Sequence, residues 1–355
     1  MNIVVLAGGI STERDVSLSS GTMIYRALKE RGHQAVLLDV YLGYEGEDPG
    51  QRDDLKRYPE KFFCMEKDWA QDMGVISEEN PDIEQIKALR SDGEKNFFGP
   101  NVIAVCQCAD VVFLALHGEN GENGKIQACF DLMGITYTGA DYLSSAIAMN
   151  KGISKELFAF YGIPTPQGFR LKKGEQERKD EMIFPCIVKA CCGGSSVGVA
   201  IAFSKEDYGA ALQEAFAYDD EVIVEQYIKG REFSVGVMDG KALPVIEMEP
   251  LTGFYDYKNK YQPGATVETC PADLPEDKAA ELQECAEKVF LALRLQNYAR
   301  MDFRMNEAGE IFCLEANTLP GMTPVSLLPQ EAAAAGMDFG DLCEEILQSA
   351  VKGRA

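Results

Sequence analysis

In RMDFRMNEAGEIFCLEANTLPG, residues 300–321, a guanidinium, two carboxylates and an amide oxygen recur at a spacing that can bring them together. Two runs alternate with period two around the turn-like Asn306-Glu307-Ala308-Gly309, the pattern of a β-hairpin. On the first arm Met301, Phe303 and Met305 share one face, and Arg300, Asp302 and Arg304 share the other. On the second arm Phe312, Leu314 and Ala316 share one face, with Cys313, Glu315 and Asn317 opposite. With both apolar faces turned to one core, Arg300, Asp302, Glu315 and Asn317 project together. Hard oxygen donors with no need for His or thiolate suit Mg²⁺, which commonly arrives with substrate phosphates. An ordinary amphipathic hairpin with a solvated face has the same alternation. The segment Asn317-Thr318-Leu319-Pro320-Gly321 favours the chemical reading, because it ends the strand sharply and leaves the Gly321 amide able to approach a ligand.

A chain of 355 residues with net charge −23 has room for two or three domains and presents no basic run for nucleic acid. An acidic protein repels a polyanion unless cations gather locally. Distant surface charges fade beyond a Debye length of about 8 Å, so a few placed lysines can outweigh the global field. Eleven scattered cysteines without a C-x₂-C pair fit a reducing, cytoplasmic setting rather than a disulfide framework. Only His33 and His117 are available, so a His-based zinc site has little material. Residues 1–9 read as a first strand rather than a signal peptide. No run approaches about 18 consecutive apolar residues, so no membrane segment is expected.

The elements that must carry these groups follow in order. Strands at 3–7 and 34–40 flank a helix at 17–29, the start of an open parallel sheet. The turn between them is GGIST, not GxGxxG, which weakens a nicotinamide reading. Residues 41–100 are charged, hold the single Trp69, and read as an insertion that serves as surface elaboration or dimer contact, with a short helix at 84–90. A strand at 111–116 runs into His117 and the loop GENGENGK, at the strand end where such sheets bind ligands. His117 reads equally as a structural strand-end histidine. A helix at 126–133, a strand at 135–138 and a helix at 144–160 containing Lys151 follow. From there the style changes. Lys189 ends a strand at 183–189 and precedes ACCGGSSVG, a Gly- and Ser-rich turn able to fold over phosphates with backbone N–H groups and hydroxyls. A helix at 205–216, a strand at 221–227, a hairpin at 232–249, a long loop at 252–264 and a helix at 276–293 lead to the hairpin at 300–317, and a helix at 338–351 closes the chain.

The order GGISTERDVSLSSG, ALHGENGENGKIQ, MNK, FPCIVK, GGSSVG, VEQYIKGREF, FYDYKNKY, ARMDF and LEANTLPGMTPVSLLP resembles the D-alanine–D-alanine ligases of the ATP-grasp superfamily. The resemblance covers nearly all of the chain except 41–100. It implies a mixed α/β and α+β architecture: an N-terminal domain with an open parallel sheet (1–145), then two α+β ATP-grasp subdomains (146–228 and 229–355) that sandwich ATP. The implied reaction transfers the γ-phosphate of ATP to one D-alanine, and a second D-alanine then attacks the acyl phosphate. Bringing two anions together needs local positive charge; at 4 Å each unit pair is worth about 4 kcal/mol at an effective dielectric near 20.

Carried over by motif, the resemblance implies that Asp302, Glu315 and Asn317 hold two Mg²⁺ (or Mn²⁺). Lys151, Lys189, Ser195 and Ser196 grip the phosphates, and Lys260 reaches the γ-phosphate from the mobile loop. Glu225, Gln226 and Ile228 border adenine, and Glu232 binds the ribose. Arg300 and the Gly321 amide stabilise the oxyanion. Glu13 holds the first ammonium with His117 nearby, and Ser326, beside Leu327, binds the second carboxylate. Ser195, Tyr261 and Glu13 form a link that closes the site against water. The partners implied are ATP, D-alanine and a second copy of the chain in a homodimer. Departures are Ala190 for a usual proline, Gly193 for a usual acidic residue and Gln226 for a usual lysine. Tyr261 and Leu327 point to D-alanine as second substrate. The alternatives are D-alanine–D-serine or D-alanine–D-lactate ligation, another ATP-grasp carboxylate–amine ligase, and a nucleotide sensor without turnover.

Overall fold

The structure is a computed structural model and describes residues 1–355 except 72–80, 91–92, 94–95, 179–180, 182, 195–197, 252–263, 324 and 354–355. It divides into two units, Met1–Tyr142 with Leu319–Ala355, and Leu143–Thr318.

In the first unit β1 (Asn2–Ala7), β2 (Gln34–Asp39) and β3 (Val111–Leu114) form a parallel sheet ordered β2-β1-β3. All of Ile3, Val4, Val5 and Leu6 are fully buried, as expected for a parallel strand covered on both faces. The helix Arg14–Glu30 packs on β1 and β2 and begins three residues before the expected start. Gly21 lets it approach closely, since a Cβ there would run into the Ala7 side chain. The strand expected at 135–138 is reduced to a single bridge between Val112 and Tyr137. Helix Phe339–Gly353 buries Leu342, Cys343, Ile346, Leu347 and Ala350 and packs on the Arg14–Glu30 helix and β3. By packing, residues 319–355 therefore go with the first unit, not with residues 229 onward as the expected boundaries grouped them. An amphipathic stripe shows which helix face is buried and says nothing of which sheet receives it. The described part of the insertion forms helices Pro49–Arg57 and Ile83–Ala88 and a 3₁₀ turn, Pro59–Cys64. Its side core is aromatic: Phe62 stacks on Trp69 with centroids 5.7 Å apart, and Tyr44 meets Trp69 edge-on at 5.1 Å.

The turn after β1 is held by Asp39. Gly8 and Gly9 adopt φ of +75° and +86°, open to glycine at little strain. Asp39 accepts the Tyr41 and Leu42 amides at 2.8 and 2.9 Å and pairs with the Arg14 guanidinium, which donates to Gly9 O at 2.5 Å. Both partners are over nine-tenths buried. Asp39→Ala leaves a buried guanidinium uncompensated, so it should cost about 3–5 kcal/mol of stability, measured by urea unfolding.

The second unit holds two antiparallel sheets. β4 (Gly168–Lys172), β5 (Cys186–Ala190), β6 (Val199–Ala202) and β7 (Glu221–Gln226) are ordered β4-β7-β5-β6. Their core gathers Leu171, Val188, Val222 and Val224 with Tyr208 and Leu212 of the helix Lys205–Ala215. β8 (Gly230–Met238), β10 (Ile246–Pro250), β11 (Thr266–Thr269), β12 (Tyr298–Asn306) and β13 (Ile311–Asn317) are ordered β11-β10-β8-β12-β13, with β9 (Lys241–Ala242) on β8. Helix Glu276–Ala292 covers β8 and β12. The helix expected at 144–160 is two, Tyr142–Met149 and Lys151–Tyr161. Asn150 separates them: its Oδ1 accepts the Ile153 amide at 3.0 Å, capping the second helix and making Lys151 its first residue.

Candidate active site

The hairpin of β12 and β13 is present, with Arg300 opposite Asn317 and Asp302 opposite Glu315. Directly paired residues share a sheet face, so these four groups do lie together. A bulge between Asp302 and Phe303 shifts the register so that Phe303 faces Cys313. Cys313 is consequently fully buried on the core side, and Phe312 is the half-buried residue opposite. The alternation expected for the second arm is therefore wrong before Leu314, at Phe312 and Cys313, and right after it.

Asp302 is 7 % exposed and saturated with donors. Its Oδ1 accepts from Ser234 Oγ at 2.8 Å and Arg300 Nε at 2.9 Å; its Oδ2 accepts from Arg300 Nη2 at 2.8 Å and Asn317 Nδ2 at 3.0 Å. Glu315 pairs with Lys151 Nζ at 3.2 Å, and the same ammonium donates to Gly193 O at 2.7 Å. Gly193, at φ +151°, turns its carbonyl to Lys151 in a backbone state that the family's usual acidic residue would strain to reach. Among the described residues no group of three or more His, Cys, Asp and Glu converges as a metal site. Glu315 and the Asn317 amide oxygen, beside Asp302 on the hairpin, are hard-oxygen donors of the kind Mg²⁺ takes; Asp302 would exchange one of its present donors to join them.

Behind this face lies a second charged group. Glu225 is 2 % exposed and sits between two lysines, Lys189 Nζ at 2.5 Å and Lys155 Nζ at 2.8 Å. Burial opposes ionisation of Glu225, but the two ammoniums outweigh it and hold its pKa below the ordinary value. Lys189 stays charged despite burial because Glu225 and Glu315 act on it, while burial pulls Lys155 down. The Glu225 carboxylate thus serves lysines. Lys155 was missed from the sequence; its position one turn after Lys151, on the same helix face, was the available signal. Ile228 is buried, and Glu232 pairs with Arg304 at 2.6 Å across β8 and β12. Gln226 lines a cavity of about 210 Å³ with Gln167, Phe169 and Ile183. Ser195, Ser196, Lys260 and Tyr261, and residues 252–263 of the expected mobile loop, lie outside the described residues.

The first unit carries the remaining residues. Glu13 occupies the N-cap position of the Arg14–Glu30 helix and is 7 % exposed. His117 is buried; its Nδ1–H donates to Leu319 O at 2.9 Å, so Nε2 faces Ser20 Oγ, 3.0 Å away, as the acceptor in the neutral ring. Ser20 Oγ in turn accepts the Met322 amide at 3.2 Å, and Glu122 accepts the Gly118 and Leu319 amides at 2.9 and 3.2 Å. His117, Ser20 and Glu122 therefore hold the 319–322 turn that contains Gly321. Ser326 Oγ accepts the Thr323 amide at 3.0 Å, and Leu327 is buried.

All eleven cysteines are free. Burial first and the Asp219 carboxylate second push the Cys191 thiol up to about 12 and the Cys192 thiol up to about 11. At pH 7.5 both are protonated, so iodoacetamide should label Cys192 slowly, with the rate rising about tenfold per pH unit up to the pKa, as read by mass spectrometry.

A parallel three-stranded sheet, two antiparallel sheets, and facing carboxylates backed by buried lysines are the features of an ATP-grasp ligase. Family models for the D-ala D-ala ligase N-terminus and C-terminus match residues 2–140 and 157–348. A D-alanine–D-alanine ligase of Lacticaseibacillus casei is 46 % identical over 355 residues, covering 99 % of this chain and 96 % of the relative. Among solved structures, D-alanine–D-alanine ligase from Bacillus anthracis complexed with ATP superposes with TM-score 0.72 at 30 % identity, covering 100 % of this chain and 98 % of that one. The VanG D-Ala:D-Ser ligase from Enterococcus faecalis superposes with TM-score 0.74 at 27 % identity, covering 98 % and 99 %. The chain belongs to the D-alanine–D-alanine ligase family.

Proposed function

We propose that this protein joins two D-alanines into D-alanyl-D-alanine in the cytoplasm, for peptidoglycan precursor synthesis, consuming ATP and releasing ADP and phosphate. A carboxylate oxygen of the first D-alanine attacks the γ-phosphorus, the bond to ADP breaks, and D-alanyl phosphate forms. The amine of the second D-alanine then attacks the acyl carbon; the C–O bond to phosphate breaks and the amine loses a proton. The observation that carries this reading is the shared face of Arg300, Asp302, Glu315 and Asn317, with Lys151 against Glu315.

Lys151 and Lys189, with Ser195, Ser196 and Lys260, hold the phosphates. Glu225, Gln226 and Ile228 border the base, Glu225 by way of its lysines, and Glu232 takes the ribose. Asp302, Glu315 and Asn317 would hold Mg²⁺, which when bound would neutralise phosphate charge. Arg300 and the Gly321 amide stabilise the oxyanion. Glu13 takes the first ammonium, Ser326 the second carboxylate, and Ser195, Tyr261 and Glu13 exclude water. The homodimer and the division into 1–145, 146–228 and 229–355, with residues 319–355 packed on the first, complete the reading. No helix among the described residues is long and apolar enough to cross a membrane.

Phosphate release with Mg-ATP and D-alanine, beside L-alanine, D-serine and D-lactate, with product mass, tests it. Release with D-alanine alone, and a D-alanyl-D-alanine mass, is expected because the buried, apolar Leu327 stands beside Ser326. Comparable release with D-serine as second substrate, the substrate in the VanG enzyme's description, would overturn the D-alanine preference. Release that no amino acid stimulates would overturn the ligase reading.

A further inference from the structure

Lys155 is buried and unused in the mechanism above. It lies on the helix Lys151–Tyr161, and only 8 % of its surface is exposed. Its Nζ meets Glu225 Oε2 at 2.8 Å and donates to Thr165 Oγ1 at 2.5 Å. Thr165 Oγ1 donates its own hydrogen bond to the Cys313 carbonyl at 2.8 Å, on the strand that carries Glu315 and Asn317. The other Glu225 oxygen meets Lys189 Nζ at 2.5 Å. Lys155, Lys189 and Glu225 are thus a buried trio of two cations and one anion. Glu315 pairs with Lys151 and also acts on Lys189, so across the cluster two carboxylates serve three lysines.

Burying an ammonium is costly unless it is paired, and a second lysine on one carboxylate raises that cost. Such an arrangement is stable only with a hydrogen-bonded frame, which Thr165 and the Cys313 carbonyl supply. Its chemical consequence concerns Lys189. With Lys155 absent, Glu225 would neutralise Lys189 outright and hold it as a closed pair. With Lys155 present, the carboxylate is shared, and Lys189 retains attraction for a third group that is anionic.

We propose that Lys155 is a positioning residue for nucleotide binding: by holding one oxygen of Glu225 it fixes the carboxylate that aims Lys189 and leaves Lys189 free to take an ATP phosphate. This rests on the reading of Lys189 as a phosphate-binding lysine. Lys155 itself touches no substrate in this scheme; it acts through Glu225.

The test is calorimetric binding of a non-hydrolysable ATP analogue with Mg²⁺ to the full chain and its Lys155→Met and Lys155→Arg variants, with KM for D-alanine measured on each. Lys155→Met should weaken nucleotide binding by about 30-fold, the worth of one hydrogen bond to a charged group lost when Glu225 closes on Lys189. Its KM for D-alanine should stay within about twofold, since that substrate is held by other groups. Lys155→Arg keeps a cation on the Glu225 oxygen, so it should recover most of the lost affinity; a role in packing alone predicts that methionine, which keeps the length of the side chain without its charge, binds nucleotide like the parent. Nucleotide affinity within about threefold of the parent in Lys155→Met, or a Lys155→Arg variant that binds no better than Lys155→Met, would overturn the proposal. Where Lys155→Met does not fold, Lys155→Gln carries the same comparison. A parent whose nucleotide affinity depends on Lys155 yet that releases no phosphate with D-alanine would sink the proposed function and leave this inference standing. A parent that binds no nucleotide would sink both.

Discussion

Glu315→Gln is expected to lower kcat by about a thousandfold while leaving the fold intact. Glutamine matches the shape of glutamate and can still accept from Lys151, which lies 3.2 Å from Glu315 Oε2, so packing around β13 should persist. The negative charge does not persist. Both proposed steps gather anions, the ATP phosphates, the substrate carboxylate and the developing oxyanion, at a place where cations and metal must outweigh them. Removing one carboxylate from a set of two should both weaken Mg²⁺ binding and misplace the ion that remains. Steady-state phosphate release at saturating D-alanine, titrated with Mg²⁺, reads both effects. A fall of less than about tenfold with an unchanged Mg²⁺ requirement would remove Glu315 from the metal set.

Gly321→Ala should lower kcat/KM by about a hundredfold or more. The obstacle is space, because Gly321 is not among the glycines of positive φ. A Cβ at Gly321 would stand 2.6 Å from Ser326 Oγ and 3.3 Å from Ser326 Cβ. Ser326 cannot rotate away freely, since its Oγ accepts the Thr323 amide and lies 2.7 Å from Thr323 Oγ1. Either the hydroxyl proposed to meet the second carboxylate moves, or the amide proposed to meet the oxyanion moves. Both lie in catalysis rather than in the core, so thermal stability should change little. The double variant Gly321→Ala/Ser326→Ala removes the clash and should be no less active than Ser326→Ala alone. A double variant clearly worse than Ser326→Ala would show that the added methyl acts on the backbone amide itself.

Much of the site was legible because its pattern is local. Period-two alternation along residues 300–305 is set by strand geometry alone, and it placed Arg300 with Asp302 before any partner was known. The run Ile3 to Leu6 and the Gly8-Gly9 turn were legible for the same reason. The break at Asn150 was missed because helical periodicity continues through it; only the capping bond to Ile153 shows that the chain prefers to restart there.

The chain's order of motifs determined its family, its ATP-grasp architecture and the opposition of Asp302 and Glu315. Tertiary structure decided the rest. The bulge that buries Cys313 depends on how β13 meets β12, a relation between strands. His117 is fixed by a carbonyl 202 residues away, and Lys155 by a carboxylate on another strand. Buried charges and buried rings take their roles from whatever completes their hydrogen bonds, and those partners are chosen by packing across the fold rather than by neighbours along the chain.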